Sequence, residues 1–268
     1  MTPGPPANPR RYGARPMETV ELIALVAWAF AVGLLGGVVG LVLGNLRLPL
    51  VVLLASSPAA GAGANVAISG AAAVATASGH ARSGRINWRL FAWMAPPSLA
   101  GGIVGGVVSG LLPDRLLLAA IGLVILYGAV EVLRYRRPTD AEQADATRTH
   151  LISAAAVGFA VGVLGGFVGL ILGSLRLPAM VKWVGIGPYA AVGTNAAVGV
   201  VVGVGGLIGH LPSGIDWDLF AVGCAGAVRG SYFGARLTGR LSEEALLRAM
   251  AAVLAVTGLA MLAQAIVG

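Results

Sequence analysis

Long apolar stretches alternate with short polar segments along almost the whole chain. A helix needs about 20 apolar residues to cross the hydrocarbon core of a bilayer. The pattern therefore predicts an all-α, polytopic membrane protein. Eight runs of roughly this length lie at 20–44, 59–79, 90–111, 116–135, 151–173, 189–209, 217–239 and 244–267.

The second half of the chain repeats the first. A shift of 129 residues places Gly33 on Gly162 and Arg47 on Arg176. With a slip of one residue, "PAAGAGANVA" aligns with "PYAAVGTNAA", and further on "INWRLFA" aligns with "IDWDLFA". The repeat predicts two homologous halves. The chain then divides into a disordered tail at 1–18, a first transmembrane repeat at 19–135, a polar linker at 136–150 and a second repeat at 151–268.

The charges of equivalent loops differ between the halves. The loop at 80–89 carries three arginines, whereas its counterpart at 209–218 carries only acidic charge. The turn at 112–115 has one arginine, whereas three arginines flank its counterpart. Because arginine-rich loops face the cytoplasm, equivalent loops are expected on opposite sides of the membrane. This predicts inverted repeats, although the arginines of the N-terminal tail run against the bias.

An inverted repeat needs an odd number of crossings in each half, so one apolar run must fold back. Val20–Ala55 is the candidate, because it is too long for one helix and contains "GNLRLP"; its counterpart contains "GSLRLP". Pro49 and Pro178 are expected to break these helices, since proline cannot donate a helical hydrogen bond. Each half therefore opens with a broken or re-entrant helix, and the new helices after the prolines would direct positive ends at a site.

Composition supports a lipid-embedded chain. Of 268 residues, 57% are hydrophobic and 11% are charged, which is too little polar surface for a soluble domain of this length. The net charge of +7 comes from arginines that mostly end the apolar runs, where they contact lipid headgroups, so no nucleic-acid partner is expected. One cysteine and three histidines give no intramolecular disulfide and no metal-site spacing, and no cofactor is expected.

Three arginines interrupt apolar runs: Arg47, Arg176 and Arg229. Such a residue costs about 2.5–3.5 kcal/mol on insertion scales, and the runs offer almost no acid to pair with it. Cations without carboxylates predict a site for an external anion, because the guanidinium fork suits sulfonate, sulfite, phosphate or carboxylate oxygens. The alternative is that the arginines extend to the headgroups.

Neutral donors accompany these arginines. Asn65, Thr194 and Asn195 follow the prolines that open the next apolar runs, and they would add donors around an oxyanion. Asn45 and Ser174 precede the two repeated arginines and complete the predicted substrate-binding set. Ordinary hydrogen bonding between helices is the alternative role of the asparagines.

Glycines at four-residue spacing precede the predicted breaks. This spacing lets membrane helices pack closely, and glycine beside a break also lets a ligand approach backbone N–H groups. The two roles are compatible. The glycines assigned to the site are Gly36, Gly37, Gly40 and Gly44 in the first half and Gly165, Gly166, Gly169 and Gly173 in the second.

An enzyme is not expected. The serine of "AISGAAAV" at position 69 has no histidine in an apolar run to act as its base. His80 and His210 are expected to be solvated at loop positions. The glycine-rich "GGIVGGVVSG" lacks the lysine of a phosphate-binding loop.

The order of these motifs resembles the TauE/SafE family, membrane proteins often described as sulfite exporters. The resemblance rests on "GLLGGVVGLVLG" and "GVLGGFVGLILG" with their following "LP", on "AVGTNAAVG" and "GIDWDLF", and on the closing "GARLTGRLSEEALLRAMAAVLAVTGLAML". It implies export of sulfite, thiosulfate or small organosulfonates across a bacterial inner membrane. The chain departs from the family pattern at "NLR", at "SLR" and at Asn195, which leaves the particular anion open.

The sequence thus predicts a secondary transporter whose halves alternate access to a central anion site. An anion channel and a non-transporting membrane scaffold or receptor stay open as alternatives. The expected partners are a small anion and the lipid bilayer, and a homodimer is left open.

Overall fold

The computed structural model of the protein describes residues 18–107, 114–135, 147–168, 171–210 and 215–267. All regular structure in these ranges is helical. The predicted tail, except Glu18, and most of the predicted linker lie outside them. The helices are α1 (Thr19–Val39), α2 (Gly44–Leu54), α3 (Pro58–Arg82), α4 (Trp88–Val107), α5 (Asp114–Leu133), α6 (Thr147–Val168), α7 (Gly173–Lys182), α8 (Pro188–His210), α9 (Trp217–Leu237) and α10 (Glu243–Val267), with a 3-10 turn at Thr238–Arg240.

Both halves have the same succession of helices: one long, one short and three long. Each of the eight predicted apolar runs overlaps one long helix, and the short helices α2 and α7 are added after the first run of each half. Four of the long helices, α1, α3, α8 and α10, are both long and apolar enough to cross a membrane. The prediction of an all-α, multi-pass membrane protein is confirmed. Helix α6 begins at Thr147, inside the segment predicted as linker.

The equivalent helices α3 and α8 pack against each other. Gly206 of α8 lies against Val66 of α3, and Gly199 lies against Ala73. Residue numbers thus rise along one helix while they fall along the other. The two helices therefore run in opposite directions where they touch.

Helices α1 and α9 pack through glycines at four-residue spacing. A Cβ added to Gly226 would overlap the carbonyl oxygen of Val26, and one added to Gly230 would overlap that of Phe30. Such close approach of two backbones is the usual reason for small residues between membrane helices. Gly37, predicted as a site glycine, belongs to this interface, because its added Cβ would overlap the carbonyl oxygen of Ser231.

The break in each half occurs earlier than predicted. Helix α1 ends at Val39 and α2 begins at Gly44, so Pro49 lies inside α2; Pro178 likewise lies inside α7. The prediction that these prolines break the helix was wrong. The turn is made instead by Gly40, whose φ of 64° is a left-handed conformation that glycine adopts without steric cost. Each proline removes only one hydrogen bond from a helix that has already begun.

The carbonyl groups that α1 leaves free at its end are bonded by other elements. The Gly36 oxygen accepts from the Leu41 N–H at 2.8 Å. The Val38 oxygen accepts from the Thr238 hydroxyl at 2.8 Å. The last carbonyls of a helix have no intrahelical partner, and in lipid they must be satisfied within the protein. The 3-10 turn after α9 therefore helps to make the break possible.

His80 is part of the same arrangement. It was expected to be solvated, but it is fully buried in the last turn of α3. Arg85 Nη1 lies 3.3 Å from His80 Nδ1, and because a guanidinium only donates, the proton of the neutral ring lies on Nε2. Nε2 donates to the Gly37 oxygen at 3.2 Å, the third carbonyl at the end of α1. His80 was expected in solvent because position 80 lies just beyond the predicted apolar run at 59–79, whereas α3 extends to Arg82.

The α1–α9 interface gives a stability prediction. Gly230→Ala places a methyl group on the Phe30 carbonyl, and overpacking of this kind costs about 1–3 kcal/mol. We expect a clearly lower melting temperature for purified protein in detergent. Gly187→Ala is the control, because a Cβ there meets nothing within 4 Å. Equal melting temperatures for the two variants would contradict the packing described.

Candidate functional site

A cavity lies where the two broken segments come together. Its walls are formed by residues of each break, by the first residues of α2 and α7, by α3 and by α10. It leaves about 20 Å³ in which the centre of a water molecule fits, and one buried water needs about 10–15 Å³ of such space. Among the described residues that line it, none is charged. The polar ones are Asn45, Asn65, Ser69, Ser174 and Thr257.

Two short helices begin beside this cavity. Helix α2 begins at Gly44 and α7 at Gly173, and the preceding residues, Leu43 and Leu172, have no side chain that could cap the helix. The first N–H groups of a helix lack intrahelical partners and carry a partial positive charge. The predicted positive helix ends are therefore present, but they start at these glycines and not after the prolines.

Arg47 is buried within the first half, with 2% of its surface exposed. Its Nε donates to Asn65 Oδ1 at 3.0 Å, and its Nη2 donates to the Asn65 carbonyl at 3.2 Å and to Ser69 Oγ at 2.8 Å. Asn65 Nδ2 in turn donates to the Gly44 carbonyl at 3.1 Å. Arg47 thus ties the start of α2 to α3 through neutral partners.

Arg176 is buried equally deeply in the second half, with 1% of its surface exposed. Its Nε donates to Asn195 Oδ1 at 3.1 Å, as Arg47 does to Asn65. Asn195 Nδ2 donates to the Gly40 carbonyl at 2.8 Å, across to the break of the first half. The Nη2 of Arg176, however, has no hydrogen-bond partner. A buried charged donor left unpaired costs more than the roughly 1–3 kcal/mol of a neutral one.

Neither arginine is neutralised by the protein. Within the part of the chain that the structure describes, no carboxylate forms an ion pair with Arg47 or Arg176. The ion pairs found there join Lys182 to Glu131 at 2.6 Å and Arg248 to Glu244 at 2.6 Å. Both guanidinium groups are also buried, which is incompatible with their extending to lipid headgroups. Two positive charges therefore lie inside the protein without a counter-ion among the described residues.

Two side chains of the cavity have polar atoms without a partner. These atoms are Asn45 Nδ2 and Thr257 Oγ1, and the residues are 7% and 1% exposed. Buried polar atoms are nearly always hydrogen-bonded in folded proteins. Both atoms are therefore available to a ligand in the cavity.

Arg229 does not belong to this site. Its side chain is exposed, and its Nη1 donates to the Ala225 carbonyl one turn earlier in α9 at 2.6 Å. The prediction was wrong because Arg229 lies on the outward face of α9. The adjacent face carries Gly226 and Gly230, which pack on α1.

Thr194 also has another role than predicted. It is fully buried and its Oγ1 accepts from the Asn87 N–H at 3.0 Å, so it holds the loop between α3 and α4 against α8. It is not among the residues that line the cavity.

The predicted glycines do not all lie at the breaks. Gly36, Gly40, Gly44 and Gly173 lie at the breaks, where an added Cβ would meet neighbouring atoms at 3.0 Å or closer. Gly165 is buried in α6, and Gly166 follows it in the same helix. Gly169 lies outside the described residues.

Ser69 and Thr257 were missed as site residues by the sequence reasoning. Ser69 was considered only as a nucleophile. Thr257 is an isolated hydroxyl residue in the last apolar run, and the 129-residue shift pairs it with Gly128, so the repeat gave no signal. Only the packing of α3 and α10 around the breaks brings these hydroxyl groups to the cavity.

Comparison with known families agrees with this architecture. The family model described as "Sulfite exporter TauE/SafE" matches residues 25–261, which include both halves and every residue of the cavity. Comparisons with curated proteins and with solved structures gave no match. The extent of the family match confirms the resemblance seen in the motifs. The chain therefore belongs to the TauE/SafE sulfite exporter family of multi-pass membrane proteins.

Proposed function

We propose that this protein is a secondary transporter that exports small sulfur-containing anions, such as sulfite, thiosulfate or organosulfonates, across a bacterial inner membrane. The observation that carries the proposal is Arg176, a guanidinium buried to 1% exposure whose Nη2 has no partner. An anionic oxygen is the partner that such a donor binds most strongly. The sulfur-containing class comes from the family to which the chain belongs.

The electrostatics around the cavity favour an anion over a cation or a neutral solute. Two buried arginines and two uncapped helix starts add positive potential, and the described lining offers no carboxylate. Asn45 Nδ2 and Thr257 Oγ1 add neutral donors. A sulfur oxyanion has several oxygens in different directions, so it can accept from donors on both halves at once.

The two halves are proposed to be inverted repeats. The opposite directions of α3 and α8, which are equivalent helices, support this arrangement. The charges support it too: Arg82 Nη1 donates to Tyr232 Oη at 3.0 Å, and Arg85 Nη1 donates to the Ala235 carbonyl at 2.8 Å. The arginine-rich loop after α3 and the arginine-rich end of α9 therefore lie together, which supports a common location on the cytoplasmic side.

Transport would proceed by alternating access to the cavity. The space in the cavity is too small for a sulfur oxyanion with its hydration shell, so the halves must move apart to admit it from either side. The hydrogen bond from Asn195 to the Gly40 carbonyl joins the halves at the break and is a contact that such a movement would change. The inside-negative membrane potential drives an anion outward by about 2.3 kcal/mol per charge per 100 mV.

Ligand binding is tested by thermal unfolding of purified protein with sulfite, thiosulfate, sulfoacetate, taurine, sulfate and bicarbonate. A bound anion at 100 times its Kd should stabilise the protein by about 2.7 kcal/mol. Arg176→Ala should abolish the shift, because it removes the free donor. Arg229→Ala is the control and should keep it, since Arg229 is exposed. A shift that Arg176→Ala leaves unchanged would refute the site assignment.

Transport mode is tested in proteoliposomes and planar bilayers. A carrier should exchange labelled thiosulfate for unlabelled thiosulfate with saturable kinetics and without conductance. Arg176→Ala should reduce the exchange rate at least tenfold. Anion currents in the bilayer would instead show a channel.

Topology is tested by single cysteines in a Cys224→Ala background, since Cys224 is the only cysteine. Ser83→Cys changes an exposed position just after the end of α3. Asp218→Cys changes an exposed position in the first turn of α9. A membrane-impermeant thiol reagent applied to intact cells should label Asp218→Cys, and should label Ser83→Cys only after permeabilisation. Labelling of both positions from the same side would reject the proposed arrangement.

A further inference from the structure

The two buried arginines are equivalent in sequence but not in bonding. Both donate through Nε to the side-chain oxygen of an asparagine, at 3.0 Å for Arg47 and at 3.1 Å for Arg176. They differ at Nη2, which has two partners in Arg47 and none in Arg176. The repeat by itself would give both arginines the same hydrogen bonds. A residue that differs between the halves must therefore account for the different bonding of Nη2.

That position is found by aligning α3 with α8. The alignment that pairs Asn65 with Asn195 also pairs Ser69 with Gly199. In the first half, Ser69 Oγ accepts from Arg47 Nη2 at 2.8 Å. In the second half, Gly199 has no side chain that could accept from Arg176, and Arg176 Nη2 also lacks the bond to the asparagine carbonyl that Arg47 Nη2 makes.

We infer that Gly199 decides which half of the protein binds the anion. Because it lacks a hydroxyl group, it leaves Arg176 Nη2 for the substrate, whereas Ser69 holds Arg47 in a structural role. Gly199 is thus a specificity-determining position that acts through Arg176, and this inference rests on the proposed function. The anion would be contacted through Nη2, because Nη2 is the unpartnered donor and lies beside Gly173, between the cavity-lining residues Leu172 and Ser174.

Steric constraint does not explain the glycine. A Cβ added to Gly199 would lie 3.4 Å from Val42 Cγ2 and 3.8 Å from Ala73 Cβ, which are ordinary contact distances. A Cβ there can be accommodated, in contrast to Gly173, where the nearest atom would lie at 3.0 Å. Position 199 therefore has room for the side-chain carbon that would carry the hydroxyl group found at position 69.

The test compares Gly199→Ser, which supplies a hydroxyl group to Arg176, with Gly199→Ala, which supplies only the methyl group. Thiosulfate and sulfite are the probes, with Kd measured by calorimetry and Tm by thermal unfolding of the full chain. For Gly199→Ser we expect at least tenfold weaker binding and an unliganded Tm equal to or above that of the wild type. For Gly199→Ala we expect a Kd within threefold of the wild type.

The outcomes separate this inference from the proposed function. If the wild type binds neither probe, the proposed function fails and this inference fails with it. If the wild type binds and Gly199→Ser binds equally well, only the inference about position 199 is overturned. Equal loss of binding in Gly199→Ala would likewise overturn it, because the hydroxyl group would then not be the cause. General damage to the fold would lower both Tm and affinity, which differs from the expected pattern.

Ser69→Ala provides a second test that does not depend on the folding of Gly199→Ser. Removing the acceptor of Arg47 Nη2 should lower the unliganded Tm by several degrees. The Kd for thiosulfate should rise by clearly less than the tenfold expected of Gly199→Ser, because Arg176 keeps its free donor although Ser69 lines the cavity. A loss of binding of tenfold or more in Ser69→Ala would make the first half the binding half and overturn the inference.

Discussion

A chain that stops being helical inside a membrane must find hydrogen-bond partners for the backbone groups that it frees. In this protein the carbonyls at the end of α1 are bonded by Leu41, by His80, by Thr238 and, beyond the turn, by Asn195. These partners come from the break itself, from α3, from the turn after α9 and from α8. The break thus exists only because distant parts of the chain converge on it.

The same convergence places two buried arginines near the cavity. Once α1 has ended, α2 begins with uncapped N–H groups, and Arg47 on its first turns is directed to Asn65 of α3. The corresponding pair in the second half is Arg176 and Asn195. An asparagine can accept from the arginine and donate to a carbonyl at the same time. One side chain therefore hydrogen-bonds both a backbone carbonyl at the break and the buried guanidinium group. A carboxylate could accept but not donate, and it would neutralise the site.

The duplication places equivalent side chains in both halves. Positions at which the halves differ make the candidate site asymmetric. A strictly symmetric protein would leave both arginines free or neither. Here a hydroxyl group at position 69 and its absence at position 199 leave one free donor. Thr257 adds another departure, because its counterpart by the repeat is Gly128, which packs against Pro178. These departures are the basis for proposing that a single anion binds asymmetrically.

The sequence by itself determined the helices, the repeat and the two buried arginines with their asparagines. These follow from local rules: apolar length, recurrence of motifs, and the cost of a charge in lipid. Tertiary structure decided the rest. The break lies at Gly40 and not at Pro49, because partners for the freed carbonyls are available there, and proline spacing does not contain that information. Arg229 points outward because α9 uses its glycine face against α1. Ser69 and Thr257 become site residues only when α3 and α10 close around the breaks, since hydroxyl groups in apolar helices gain a function from what packs against them.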